Sequence, residues 1–206
     1  MVDTLAFRAE DRLQIMDLMY RWARALDRAE WDSLRSCFAK GSFEDHGPLA
    51  GGLEGLIAWL EARKPHLRNC AHQLSNILVD FIDDDSAVVE SYVVGHLGYK
   101  AGAAQYCEDI LGEELAKSPL EIDAIIPGRY VDHVIRSAEG WLISRRTVVY
   151  ESVIAFETVS PRALNTKWKW ARRDRSDALF EAFDRFGIAP MDRGRIETSI
   201  AMVAGK

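Results

Sequence analysis

Met16, Tyr20 and Ala23 follow helical spacing along one apolar face, and the next step on that face is Asp27. A carboxylate costs several kcal/mol to desolvate unless something answers it, so this position asks for a chemical explanation. Two answers are open. Asp27 can be the N-cap of a following helix, since "DRAE" places Glu30 at the capping-box spacing. Alternatively, it belongs to a buried site.

Other candidate groups come from stretches of period two. In "AHQLSNILVDFI", His72, Leu74, Asn76 and Leu78 share one strand face, with Ala71, Ile77, Val79 and Phe81 on the other. In the next stretch Val88, Tyr92, Val94 and His96 share a face, and further on Arg129, Val131, His133 and Ile135 do. Three strands thus mix histidine or arginine with aliphatic residues, the pattern of an apolar pocket with a few polar groups. Histidine suits proton transfer because its ordinary pKa lies near neutral pH. Taken singly, each histidine also fits a structural place in a strand, and Arg129 fits a salt bridge. None of the five histidines (His46, His66, His72, His96, His133) pairs at i,i+4 on a helix. With no phosphate-cradling glycine motif and no nucleophile elbow either, neither a metal nor a cofactor is expected.

The elements that would position these groups read as follows. A first helix covers 8–26, with Glu10 and Asp11 in its first turn, and a second covers about 29–38, ended by Gly41. "SFEDHG" reads as a short strand, and "GGLEGLIAWLEARKPHL" as a third helix stopped near Pro65. Two long strands, 71–82 and 86–100, turn at Asp83, Asp84 and Asp85. Residues 101–128 read as a long connection, 129–156 as a second hairpin turning at "SAEG", and 168–186 as containing a helix. Helices first and antiparallel strands afterwards predict an α+β domain over 1–160, its bent sheet capped by the N-terminal helices. Residues 161–206 would be an extension packed on that domain or on a neighbouring subunit.

Length and composition fit this picture. With 206 residues, 48% hydrophobic and 28% charged, the chain suits one folded domain plus an extension. A net charge of -6 argues against nucleic acid as a partner. The basic stretch 162–175 reads as a solvated face or subunit contact. No run approaches the roughly 18 apolar residues of a membrane span. Cys37, Cys70 and Cys107 are widely spaced and the N-terminus lacks a signal-like apolar core, so a reduced, cytoplasmic protein is expected.

An inward Asp at a helix end, then "NCAHQLSN", "GRYVDHVIR" and "GWLISRR", together resemble the SnoaL-like branch of the nuclear transport factor 2-like superfamily over about residues 8–156. The resemblance implies a cone-shaped α+β barrel, commonly a homotrimer, with a pocket inside the cone and no cofactor. It places the family's Asp–His pair on Asp27 and His72, a second pocket histidine on His96 and a pocket arginine on Arg129. Tyr20, Trp22, Asn76, Tyr92 and His133 would contact substrate, with Trp22 standing where relatives carry Lys or Tyr. The implied activity is a cofactor-independent lyase on an aromatic or polycyclic small molecule: a dehydratase, or an enzyme of related elimination or retro-aldol cleavage. A ketosteroid-isomerase-like isomerase and a non-catalytic subunit of the ring-hydroxylating dioxygenase kind are the alternatives.

Overall fold

A computed structural model describes residues 8–103, 106, 108–158 and 167–188; Cys107 and parts of the C-terminal extension lie outside them. Helix α1 (Ala9–Arg28) buries Ile15, Leu18, Met19, Trp22, Ala23 and Leu26 on one stripe. Its end is marked by Ala29 in the left-handed region (φ 55°), whose N–H bonds the carbonyls of Ala25 and Leu26. Asp27 therefore sits inside the last turn of α1. The capping alternative is excluded, because the short helix α2 (Trp31–Arg35) has Glu30 at its N-cap and no side-chain cap bond.

Strand β1 (Phe38–Asp45) begins where the second helix was expected to continue. Gly41 (φ 77°) does not stop a helix; it lies within the irregular register between Phe38 and Phe43 that bends β1. Then come β2 (Ala50–Gly52), α3 (Leu53–Arg63), a 3₁₀ turn at Lys64–His66, β3 (Leu67–Phe81) and β4 (Ser86–Tyr99). Two short helices, α4 (Glu108–Leu111) and α5 (Glu113–Ala116), lead into β5 (Glu121–Ser137), β6 (Gly140–Tyr150) and β7 (Ile154–Thr158). Helix α6 (Ala178–Phe186) starts at Asp177, whose carboxylate accepts the Leu179 N–H.

The seven strands form one curved, unclosed sheet in the order β2-β1-β6-β5-β4-β3, with β7 pairing β5. The expected connection ends early because β5 starts at Glu121. Pro127 hid this start. On one side β5 pairs β4 throughout; on the other it pairs β7 up to Ile125 and β6 from Gly128. Pro127, which has no N–H to give, falls where that second partner changes. Helix α1 lies across β3 and β6 and fills the concave side of the sheet. No helix among the described residues is long and apolar enough to cross a membrane.

Candidate active site

The mouth of the concave side is a cavity in which the centre of a water molecule can range over about 100 Å³. Leu26, Leu60, Val93, Leu97, Ile126 and Val148 make it mostly apolar, and its polar groups include His72, His46, Tyr130, Tyr150, Arg63 and Arg173.

Asp27 and His72 meet at its wall. The last turn of α1 carries Asp27 inward until it is 8% exposed, and β3 passes beside it. His72 approaches through two atoms: Nδ1 lies 2.7 Å from Asp27 Oδ1, and the backbone N–H donates to Oδ2 at 3.0 Å. Both carboxylate oxygens are thus engaged, and the imidazole is held with Nδ1 as the donor. Cys70, two residues earlier on the same strand face, donates its thiol to Asp27 Oδ1 at 3.6 Å and lies 3.8 Å from His72 Nδ1. Trp22 packs edge-on against the ring at 5.9 Å. Burial pulls the His72 pKa down, but the Cys70 sulfur and the Asp27 carboxylate outweigh it and hold it above the ordinary histidine range.

The opposite edge of the imidazole faces the cavity across Gly95. A Cβ built there would lie 3.8 Å from His72 Nε2, an ordinary contact, so any longer side chain would reach over the reactive nitrogen. Gly95→Val is expected to keep the fold and lower kcat/KM by about 10²-fold, because displacing a reacting group by about 1 Å costs that much. Thermal melting alongside steady-state kinetics checks this; full activity would show that substrate does not pass Gly95.

Beneath the cavity a charged row crosses three strands. Arg146 on β6 bonds Asp132 on β5 through Nε and Nη2, both at 2.6 Å, and is the register partner of Glu44 on β1. Its guanidinium lies between Trp22 (3.9 Å) and Tyr130 (4.3 Å). Glu44 is fully buried and meets His46 Nε2 at 3.1 Å. Burial pushes the Tyr130 phenol's pKa far up, so it stays a neutral donor in the cavity wall.

Arg173, from the segment before α6, closes the site from the C-terminal side. It donates to the carbonyls of Asp27 (3.2 Å) and Leu26 (3.4 Å), capping α1, and lines the cavity. Its Nη1 is buried without a hydrogen-bond partner among the described residues. Of the described part of the basic stretch, residues 167–172 and 174–175 are exposed.

The other expected site residues lie elsewhere. Tyr92 and His96 are on the convex face of β4, where His96 Nε2 lies 3.3 Å from Asp123. Arg129 and His133 are on the convex face of β5: Arg129 pairs with Glu90 (2.6 Å) and Glu151 (2.8 Å), and His133 bonds Ser144 at 2.6 Å. Both faces of β4 and β5 mix apolar and polar residues, so alternation alone did not say which face is concave. Asn76 sits exposed in a bulge with φ 47°, which Asn tolerates. That extra residue turns Leu78 outward and brings Ile77, Val79 and Phe81 inward, reversing the expected faces beyond it. Tyr20 is 48% exposed and borders a recess behind Asp27 and His72. Cys70 was legible in principle, since strand alternation from His72 reaches it. The expectation of no metal-ligand set also needs correcting: donor atoms of Asp27, Cys70 and His72 lie within 4.8 Å of one another, a cluster that spacing could not reveal because α1 supplies one member.

Residues 8–147 match the model of the SnoaL-like domain. No curated protein sequence is similar enough to count as a match. Among solved structures, a type 2 hexachlorocyclohexane dehydrochlorinase superposes with a TM-score of 0.60 at 15% identity, covering 76% of this chain and 97% of that one. A Novosphingobium aromaticivorans protein provisionally assigned as a scytalone dehydratase gives 0.57 at 21% identity, covering 82% and 99%. A Mycobacterium tuberculosis protein of unknown function gives 0.52 at 18%, covering 84% and 89%. The mixed α+β architecture, the open curved sheet and the family match agree: the chain belongs to the SnoaL-like domain family, within the nuclear transport factor 2-like fold.

Proposed function

We propose that the protein is a cofactor-independent lyase that eliminates water, or an equivalent leaving group, from a compact aromatic or hydroaromatic molecule. One observation carries this reading: an imidazole held by a carboxylate at 2.7 Å, with its free edge on an apolar cavity. In the neutral form of His72, Asp27 keeps the proton on Nδ1, which leaves the Nε2 lone pair to take a proton from the carbon beside the one bearing a hydroxyl. The C–H electron pair becomes the new double bond and the C–O bond breaks. The departing oxygen leaves as water once His72 returns the proton to it, so the protein ends as it began. Asp27 stabilises the transient imidazolium. Arg173, a cation that lines the cavity and is anchored on the end of α1, takes the role of the group facing developing negative charge, the role first expected of Arg129. Elimination of hydrogen chloride, the reaction for which one similar structure is named, needs the same base, and this supports the reading.

The test is a panel of β-hydroxy ketones and hydroaromatic alcohols, followed by the absorbance of the conjugated product before and after dialysis against EDTA. Turnover that survives the chelator and disappears in His72→Ala is expected. Turnover lost on chelation and restored by a divalent ion would overturn the reading.

The convex face of the sheet presents Tyr92, Val94, Ile154 and Phe156, each 39–55% exposed. We assign this apolar surface to contact between copies of the chain, in keeping with a homotrimer. Light scattering on the purified chain is expected to give three times the 23.2 kDa chain mass, and a monomer would reject the assignment.

A further inference from the structure

We infer that Asp27, Cys70 and His72 form a zinc site whose occupation switches the proposed base off; the inference rests on the reading of His72 given above. The distances carry it. A tetrahedral zinc ion with bonds of about 2.3 Å to sulfur and about 2.0 Å to nitrogen or oxygen sets its donors about 3.5 Å apart for sulfur pairs and about 3.3 Å apart for the nitrogen–oxygen pair. Cys70 Sγ already lies 3.6 Å from Asp27 Oδ1 and 3.8 Å from His72 Nδ1. Only the 2.7 Å separation of Nδ1 and Oδ1 must open, by about 0.6 Å, for the ion to enter. Sulfur, imidazole and carboxylate are the donor set that zinc prefers over magnesium or calcium. Cys70 and His72 both line the cavity, and a water would take the fourth position.

The chemistry of occupation decides its effect. Zinc replaces the thiol proton of Cys70, which is released to solvent, and displaces the proton on Nδ1 of His72. From the neutral ring that second proton moves to Nε2; from the imidazolium it is released to solvent and Nε2 keeps the proton it already carries. Two anionic ligands and one neutral ligand balance the dication. Nε2 then carries a hydrogen and has no lone pair, so it cannot abstract a proton from substrate. Metal and proton transfer compete for one imidazole, so the bound ion is an inhibitor.

Cobalt(II) serves as the spectroscopic probe, titrated into the intact chain under reducing conditions. One equivalent is expected to produce thiolate-to-cobalt charge-transfer absorption and the visible bands of a tetrahedral ion, displaced by zinc. The absorption should vanish in Cys70→Ser, fall in Asp27→Asn, and persist in Cys37→Ser and Cys107→Ser; circular dichroism verifies each fold. In parallel, stoichiometric zinc should lower turnover by at least about tenfold, with EDTA restoring it. No charge-transfer band, or one that survives Cys70→Ser, overturns the zinc site while leaving His72-dependent, chelator-resistant turnover untouched. Turnover that requires the metal would overturn the switch and the cofactor-independent reading together.

Discussion

Replacing His72 with alanine is expected to lower kcat by about 10²–10⁴-fold with the fold intact, the usual contribution of a positioned general base. Asp27→Asn should cost a comparable factor: it keeps the shape of the side chain but removes the charge that fixes the tautomer and holds the imidazolium. The double variant should be little worse than either single one, because the two residues act as one unit. pH separates this from simple loss of packing. Because His72 is held protonated above the ordinary histidine range, the lone pair needed for abstraction becomes available as pH rises, and kcat/KM should climb through that pKa. In Asp27→Asn the charge favouring the imidazolium is gone, the pKa falls, and the rising limb moves to lower pH even as its plateau drops. Arg173→Met should multiply with His72→Ala if it acts independently on the departing oxygen. Arg129→Ala should leave kcat near its original value, since its partners Glu90 and Glu151 lie with it on the convex face. Steady-state kinetics with a melting curve for each variant is the measurement, and full activity in folded His72→Ala would end the mechanism.

What could be read from the chain alone follows from how local each signal is. Asp27 stood out because a helical stripe of apolar residues makes one carboxylate conspicuous, and α1 does bury it. The two hairpins were legible because their turns, at Asp83–Asp85 and at Gly140, are punctuated by turn-forming residues. The concave face was not. Strand alternation offers two faces, and in β5 the face holding Arg129, Val131 and His133 avoids burying Asp132. The structure buries Asp132 because Arg146 meets it from β6, a pairing that cannot be seen within either strand. "SRR" is ambiguous in the same way: the irregularity that leaves Ser144 without a register partner decides that Arg146 goes in while Arg145 stays exposed over Phe43. Arg173 was hidden for a third reason. Its partners are two backbone carbonyls at the end of α1, 146 and 147 residues away in the chain, and a basic stretch carries no sign of that.

The buried row around Arg146 should be the most costly place in the protein to disturb. Arg146 and Asp132 are each essentially inaccessible to water, and Glu44 is fully buried beside them. Removing one partner of such a pair leaves an uncompensated charge and costs about 3–5 kcal/mol. Asp132→Ala should therefore lower the melting temperature by about 10 °C, at the 2–4 °C per kcal/mol typical of a domain this size. Arg146→Met should cost more than Asp132→Asn, because it strands two carboxylates, on the strands either side of β6, instead of one cation that still has Glu44. Combining Arg146→Met with Asp132→Leu and Glu44→Gln should recover much of the loss, since an apolar replacement of similar volume no longer desolvates unpaired charge. Urea denaturation at constant m-value reads all of these as shifts in midpoint. The activity of the combined variant then tests what the row contributes beyond stability. Arg146 stacks on Trp22 and Tyr130; Trp22 braces the His72 ring and Tyr130 forms the cavity wall. If the row holds those two rings in register with the dyad, the restabilised variant should melt near the original temperature yet keep a reduced kcat. Equal recovery of stability and kcat would show that Arg146 serves the fold alone.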